Sequence, residues 1–376
     1  MSVPWWRRTL AKPDTVRADV CIIGGGIVGL SAADACARAG ASVVLVERRA
    51  LGSGASTRNA GFLMRGAASN YADASDTLGR ERTRAAWRDS EQNLGLLTER
   101  FGIDGLTSFQ RVPSSLIAAD EGEAEAIERS AALMADDGFE VSLVHNGNDA
   151  LWRSLRPRVA LINPHDAAVN PAAMLERIAS VVGAHANVTL IEHSEAVAIE
   201  PHSSGVRVLA LHADVLASRL LVCTNAAVGE LLPDLTDRAQ PNRGQMLAMR
   251  HPTARLDASY YMDRGSEYIR QCHDGVIVVG GMRKHHAEDE RTTSESPTGE
   301  VQADLERFAE RALGGPGEVL ARWAGTMGFS PDGLPVIEPV AGLPDGRALA
   351  CVGMTGHGMS LGCIAACRAS ERLLTG

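Results

Sequence analysis

The sequence predicts an α/β fold in which a discontinuous nucleotide-binding domain receives a second, mixed-sheet domain as an insertion. Three observations carry this reading. Gly24, Gly26 and Gly29 spell G-x-G-x-x-G between a short apolar run, Val20–Ile23, and a small-residue helical stretch, Ile27–Ala39. A second strand-like run, Ser42–Glu47, follows and ends on an acidic residue. Helical patterns then give way to antiparallel-looking strands before the chain returns to a glycine-rich strand–helix junction near its end. A Rossmann-like βαβ unit that opens the chain and is completed only at its end implies that the middle is inserted.

Taken in order, Met1–Asp19 is polar with an early Trp5-Trp6 pair and reads as an irregular arm laid on the domain surface. Val20–Ile23 is a buried strand, and Gly40 stops the helix that follows. Gly52–Gly61 is a glycine- and serine-rich loop. Helical periodicity spans 77–100, Asp120–Asp137 and Pro171–Val182, the last entered through Asn170-Pro171 with proline in the first turn. Val188–Ile191, Ala196–Ile199, Gly205–Leu211 and Leu220–Cys223 read as strands, and Tyr260–Arg270 with Gly275–Gly280 as a strand pair. Thr292–Gly299 is a polar loop and Glu300–Leu313 a helix, and a last helix follows Gly356-His357-Gly358. No repeat or low-complexity tract interrupts the chain. The expected division is 1–90, 147–238 and 322–376 for the nucleotide domain, and 91–146 with 239–321 for the inserted domain.

The 376 residues carry a net charge of −9 with Lys and Arg scattered, which argues against nucleic acid and anionic membranes as partners. The seven cysteines, Cys21, Cys36, Cys223, Cys272, Cys351, Cys363 and Cys367, contain no C-x-x-C pair, so neither a disulfide framework nor a metal site is expected. Reduced thiols fit a cytoplasmic protein. Arg7-Arg8 loosely resembles a twin-arginine signal, but Asp14, Arg17 and Asp19 stand where an apolar stretch would be needed. No run approaches the roughly 20 apolar residues of a membrane span.

At the nucleotide site, Gly24 permits a tight turn and Gly29 lets helix and strand pack closely. Gly26 lets the helix N-terminal N–H groups, those of Ile27 and Val28, reach a pyrophosphate. Glu47 can accept hydrogen bonds from adenosine ribose hydroxyls, and it would repel a 2′-phosphate, which disfavours NADP. The motif itself does not separate NAD from FAD.

The rest of the chain makes that separation. ADVCIIGGGIVGLSAA, VVLVERR and the loop GSGASTRNAG (Gly52–Gly61) are followed in order by LLVCTNAAVGEL (Leu220–Leu231), RWAGTMGFSPDGLPVIEP (Arg322–Pro339) and CVGMTGHGMSLG (Cys351–Gly362). These pieces resemble, end to end, the D-amino-acid oxidase, glycine oxidase and sarcosine oxidase family of flavoenzymes. The resemblance implies a discontinuous Rossmann-like FAD-binding domain with an inserted mixed-sheet substrate domain. It implies that Gly24, Gly26, Gly29 and Glu47 hold the ADP part of FAD, with Arg48 beside the adenosine pocket. Ser56, Thr57, Arg58, Asn59 and Gly61 would approach pyrophosphate and flavin, Val197 would touch adenine through its backbone, and Thr224 and Asn225 would sit by the ADP moiety. Gly356, His357, Gly358 and Met359 would present backbone donors to the flavin from a helix N-terminus, whose positive end suits negative charge on reduced flavin. The implied reaction removes a hydride from the carbon next to an amine nitrogen to flavin N5, giving an imine that hydrolyses. The partners are a small amine or amino acid and O2 or another electron acceptor. Two other functions stay open: a flavin-binding protein without catalysis that serves as scaffold or regulator, and an NAD-dependent dehydrogenase.

Departures from the resemblance bear on the substrate. D-amino-acid oxidases grip the substrate carboxylate with an arginine in the flavin loop, at the position of Met327 here. Sarcosine oxidases use an arginine at the position of Gly61 and a lysine at that of Ser360. Either the substrate lacks an α-carboxylate or another cation holds it. Arg270 is the leading substitute, because Tyr268 and Arg270 alternate onto one face of a strand; Arg65 and Arg264 are further candidates. Tyr268, Arg270, Met327 and His357 are thus the expected catalytic group. Val278 replaces a lysine that assists oxygen in sarcosine oxidases, which favours a different electron acceptor. The covalent flavin tethers of relatives are also missing: no cysteine lies in Gly325–Gly328, and Asn59 replaces a histidine. Non-covalent FAD is therefore expected.

Overall fold

The computed structural model describes residues 15–343 and 346–376. Trp5-Trp6 and Arg7-Arg8 lie outside the described residues. The part of the expected arm that is described is not irregular: a nine-residue strand, Thr15–Ile23, replaces its end. Val16 and Ala18 turn inward while Thr15, Arg17 and Asp19 stay exposed, so the strand's outer half alternates as a half-covered strand does.

Two compact units are present. The first comprises the described part of Met1–Ser56, Leu175–Pro241 and the described part of Met327–Gly376. Its eight-stranded sheet runs Ala196–His202, Gly205–Ala210, Asp214–Val222, Thr15–Ile23, Val43–Val46, Val188–Ile191, with Ala348–Val352 also paired to Asp214–Val222 and Val336–Pro339 to Ala348–Val352. Thr15–Ile23 is parallel to both its neighbours, which buries Val20–Ile23 on both faces and explains that uninterrupted apolar run. Helices Ile27–Arg38 and Gly358–Thr375 pack on each other. Gly362 permits this, since a Cβ there would lie 3.1 Å from Ile27 Cγ2.

The second unit comprises Thr57–Met174 and Asn242–Thr326. Its mixed sheet runs Glu318–Phe329, Gln240–Arg250, Ile277–Gly281, Glu267–Gln271, Ser259–Met262, Ser114–Ile117, Ala160–Asn163, Ser142–Val144. One face is fully buried: Tyr260, Met262, Ile269, Ile277 and Val279 pack with Leu305 and Phe308 of helix Gly299–Leu313. The opposite face carries the half-buried Tyr261, Tyr268 and Val278. Three helices, Tyr71–Leu78, Arg80–Phe101 and Glu121–Asp136, form a separate layer, with Tyr71 edge-on to Trp87 and Phe139.

Several expectations need correction. The helix expected over 77–100 is two helices broken at Gly79, whose φ of 83° no ordinary helical residue adopts. The strand expected over Tyr260–Arg270 is two antiparallel strands, because Asp263, Arg264 and Gly265 all take left-handed backbone and reverse the chain. Segments 57–90 and 147–174, expected with the nucleotide domain, pack in the second unit. Their large apolar residues are the cause: Phe62 and Met64 join the aromatic cluster of its sheet, and Leu151 and Trp152 join its core. Among the described residues no helix is long and apolar enough to cross a membrane.

Candidate active site

In the first unit the glycine motif is a steric necessity. Gly24 has φ 108°, and a Cβ there would lie 2.7 Å from the Cys223 carbonyl oxygen. A Cβ on Gly29 would lie 1.8 Å from the Gly24 carbonyl oxygen, so only glycine lets the helix start against the strand. At Gly26 a Cβ would meet Ser56 Oγ at 2.9 Å, and the Ile27 N–H donates to that Oγ at 3.0 Å. Ser56 therefore sits at the first donor of the helix, where its positive end favours a phosphate. Glu47 is held by two backbone donors, Gly25 N at 2.7 Å and Arg49 N at 2.8 Å, and each oxygen keeps lone-pair capacity for a ribose hydroxyl. Thr224 Oγ1 is buried without a hydrogen-bond partner, as expected of a group that meets a ligand. Val197 stands at a β-bulge between Ala196 and Ala198, out of register with the neighbouring strand, so its backbone is available to a planar base. Arg48 forms an exposed ion pair with Glu230 at 3.2 Å. These residues fit the ADP half of FAD.

The same unit gathers the distant residues of the expected flavin site. Asn225, with φ 46°, accepts from Gly353 N at 3.0 Å and Met354 N at 3.3 Å, and Gly328 passes so close that a Cβ would reach Asn225 Oδ1 at 2.7 Å. Thr355 N donates to the Gly328 carbonyl at 2.8 Å, and Thr355 Oγ1 accepts from Ser330 N at 3.0 Å. Met327 Sδ lies 3.2 Å from the place of a Cβ on Gly356. His357 Nδ1 is 3.0 Å from the Thr355 carbonyl oxygen, to which it donates. Helix Gly358–Thr375 begins beyond, with Met359 and Ser360 buried. Left-handed backbone at Asn225, Gly353, Thr355 and Gly356 marks a strained junction of the kind that clusters at ligand sites.

In the second unit, the loop after Ser56 is clamped to its own sheet. Arg58 donates to the Ala324 carbonyl at 3.0 Å and pairs with Glu295 at 3.4 Å, while Trp323 Nε1 donates to the Arg58 carbonyl at 3.1 Å. Asn59 Oδ1 accepts from Gly61 N at 2.7 Å. Gly61 has φ 74°, and a Cβ there would lie 1.9 Å from the Val169 carbonyl oxygen and 2.9 Å from Arg270 Nη2. No arginine could occupy this position.

Arg270 does share a face with Tyr268, but it is only 3% exposed. Its Nε donates to the Ala60 carbonyl at 2.5 Å and its Nη2 to that of Val169 at 2.8 Å. Burial lowers its pKa, and among the described residues no acidic side chain forms an ion pair with it. It holds two stretches of backbone together rather than lining a pocket. Arg65 is also consumed, by Glu91 at 2.8 Å and the Glu140 carbonyl at 2.8 Å. Arg264 lies on an exposed turn near Asp73.

The open part of the face is aromatic. A row across the sheet reads Met246, Gly280, Tyr268, Tyr261, Leu116. Gly280 leaves room for its neighbours to lean in, since a Cβ there would lie 2.3 Å from both Met246 Sδ and Tyr268 Cε2. Tyr261 and Tyr268 stack with centroids 5.4 Å apart, and Phe62 is edge-on to Tyr261 at 4.9 Å. Burial raises the pKa of both phenols. Arg283 lies within electrostatic reach of both, and burial lowers its own pKa. Tyr261, Phe62, Trp323 and Arg283 were not legible as site residues. Strand alternation opposite Tyr268 could have found Tyr261, but only the fold brings in the other three. Asp263, Glu267 and His285 have ligand atoms within 4.8 Å of one another. Lys284 pairs with that Asp263 and Arg311 stands 3.8 Å from Glu267, so the charges of this group are met by cations.

A model of the FAD dependent oxidoreductase family matches residues 19–372, and the chain belongs to that family. FAD is its cofactor. It is similar to a glycine oxidase of Geobacillus kaustophilus, at 27% identity over 86% of this chain and 84% of the relative. It is also similar to a probable oxidoreductase OrdL of Rhizobium meliloti, at 24% identity over 95% of this chain and 85% of the relative. The crystal structure of glycine oxidase from Geobacillus kaustophilus shares the fold, with a TM-score of 0.78 at 21% identity, covering 96% of this chain and 95% of that one.

Proposed function

We propose that this chain, an FAD-dependent oxidoreductase of amines or amino acids, takes its substrate against the aromatic face of the second unit and prefers substrates larger than glycine. The stacked and half-buried Tyr261–Tyr268 pair carries the reading. Bound FAD supplies the two-electron acceptor for hydride from the carbon next to the substrate nitrogen.

The protein's own share is positioning. Rings at this spacing bind an apolar chain and exclude water from it. Both phenols stay protonated across the working pH range because burial raises their pKa, so they can donate hydrogen bonds but take up no proton. None of the side chains in the aromatic row is a carboxylate. The reading assigns deprotonation of the amine to solution, so kcat/KM should rise about tenfold per pH unit below the substrate's own amine pKa. Val278, apolar beside Arg270 on this face, supports an electron acceptor other than O2. The free cysteines support a reducing, cytoplasmic setting.

Anaerobic mixing of the FAD-loaded protein with an amine panel tests the reading. Larger amines should bleach the flavin absorbance faster than glycine, sarcosine or D-alanine. Efficient reduction by any of those three, or by no amine at all, would refute it.

A further inference from the structure

We propose that Asp263, Glu267 and His285 form a site for one divalent transition-metal ion of the zinc class, which braces one end of the second unit's sheet. The site is independent of the amine-oxidation reading and takes no part in the flavin chemistry.

The first ground is the donor set. The three side chains offer two carboxylate oxygens and one imidazole nitrogen, all within 4.8 Å of one another. Imidazole together with carboxylate suits a zinc-class ion, with water in the remaining positions. Ligand atoms held tetrahedrally at about 2.0–2.1 Å from an ion lie about 3.3 Å apart, so the widest gap closes by about 1.5 Å. Rotation of the His285 ring supplies that movement, because it is exposed and makes no hydrogen bond among the described residues.

The second ground is Glu267, whose carboxylate is aimed into this group. It is only 8% exposed. Among the described residues neither of its oxygens accepts a hydrogen bond. Arg311 Nη2 stands 3.8 Å away, beyond hydrogen-bond reach, on a side chain that is 61% exposed. A buried carboxylate without hydrogen bonds is costly, and a cation at its oxygens offsets that cost. Asp263 is paired with Lys284, whose side chain is 49% exposed. Pairs with side chains so exposed contribute little, so a divalent ion between the two carboxylates displaces the ammonium.

The third ground is that the backbone already gathers the ligands. Asp263 and Glu267 flank a turn in which Asp263, Arg264 and Gly265 all take left-handed backbone. Arg264 N donates to Glu123 Oε1 at 2.6 Å, which fixes that turn. His285 lies in the turn after strand Ile277–Gly281. Met282 N donates to the Ser266 carbonyl at 2.9 Å and joins the two turns. Ligands placed together in this way bind an ion with little reorganisation. Tyr261 lies two residues before Asp263 and Tyr268 directly follows Glu267, so a bound ion also fastens the strands that carry the stacked rings.

Calorimetric titration of the FAD-loaded, chelator-treated protein with zinc chloride tests this, with thermal melts alongside. A single equivalent should bind and raise Tm. His285→Gln and Glu267→Gln should each weaken that event by at least about tenfold. Lys284→Gln should tighten it, because the competing ammonium is gone. Magnesium, which takes oxygen ligands, should bind at least about tenfold more weakly than zinc. Because His285 is exposed, His285→Gln should melt with the wild type when no metal is present, which separates loss of the ligand from loss of the fold. Zinc affinity unchanged in His285→Gln would overturn the site. So would a loss confined to Glu267→Gln, or a wild type that binds no single equivalent.

Discussion

Replacing Gly61 by alanine should destabilise the second unit far more than its single methyl suggests. Two effects add. The φ of 74° puts an L-residue in the left-handed region, at about 1–2 kcal/mol. The new Cβ would also lie 1.9 Å from the Val169 carbonyl oxygen, so the loop must withdraw. Withdrawal breaks the Val169 N–H bond to the Gly61 carbonyl and strains the Arg270 bonds to Val169 and Ala60. A neutral hydrogen bond contributes about 1 kcal/mol and one from a charged donor about 1.5–3 kcal/mol. The expected loss is about 4 kcal/mol, a large fraction of the stability of a typical domain. Two controls in the same unit separate the terms. Gly275→Ala, at φ 83° with nothing within 4 Å, should cost only the backbone term, about 1–2 kcal/mol. Gly105→Ala, with open space and no left-handed φ, should be near neutral. Urea unfolding of the three variants gives the comparison. A Gly61→Ala variant within about 1 kcal/mol of Gly275→Ala would show that the contact with Val169 and Arg270 is not structural.

Three further outcomes are expected. Glu47→Ala should weaken FAD retention by about 1–3 kcal/mol, measured by equilibrium dialysis of the flavin, since the carboxylate is fixed by Gly25 and Arg49 to receive the ribose; retention equal to the wild type would dispose of that role. Burial raises the Asp166 carboxyl to about 6, against about 3.9 in an unfolded chain, so the folded state binds the extra proton. Its contribution is therefore greatest below about pH 4 and is lost as pH rises to about 6, by about 3 kcal/mol. Asp166→Asn should flatten the stability profile in that window, and an unaltered profile would contradict the assignment. Finally, acid precipitation should release yellow FAD into the supernatant: Cys351 is buried with its thiol pushed up to about 12, and Asn59 is engaged with Gly61 N. A flavin-bearing peptide would count decisively against this.

The nucleotide cradle was legible because its causes are local or purely steric. Gly24, Gly26, Gly29 and Glu47 lie within two dozen residues, and at Gly29 glycine is dictated by the Gly24 carbonyl oxygen, which the strand–turn–helix itself brings close. The junction of Thr224, Asn225, Met327 and Gly356 was reached only through resemblance, since residues more than 100 positions apart meet there. In the second unit, alternation correctly set Tyr268 and Arg270 on one face, but alternation cannot say what covers a face. The carbonyls of Ala60 and Val169, 210 and 101 residues away, close over Arg270 and turn it from a candidate ligand into a clamp. The aromatic row, by contrast, stays partly exposed at Tyr261 and Tyr268, while Met246 and Tyr268 fill the space that Gly280 leaves. Local sequence thus determined the cofactor cradle, where the chain contacts itself at short range. The tertiary structure decided which cations are closed off from a ligand, because burial is set by what packs from elsewhere in the chain.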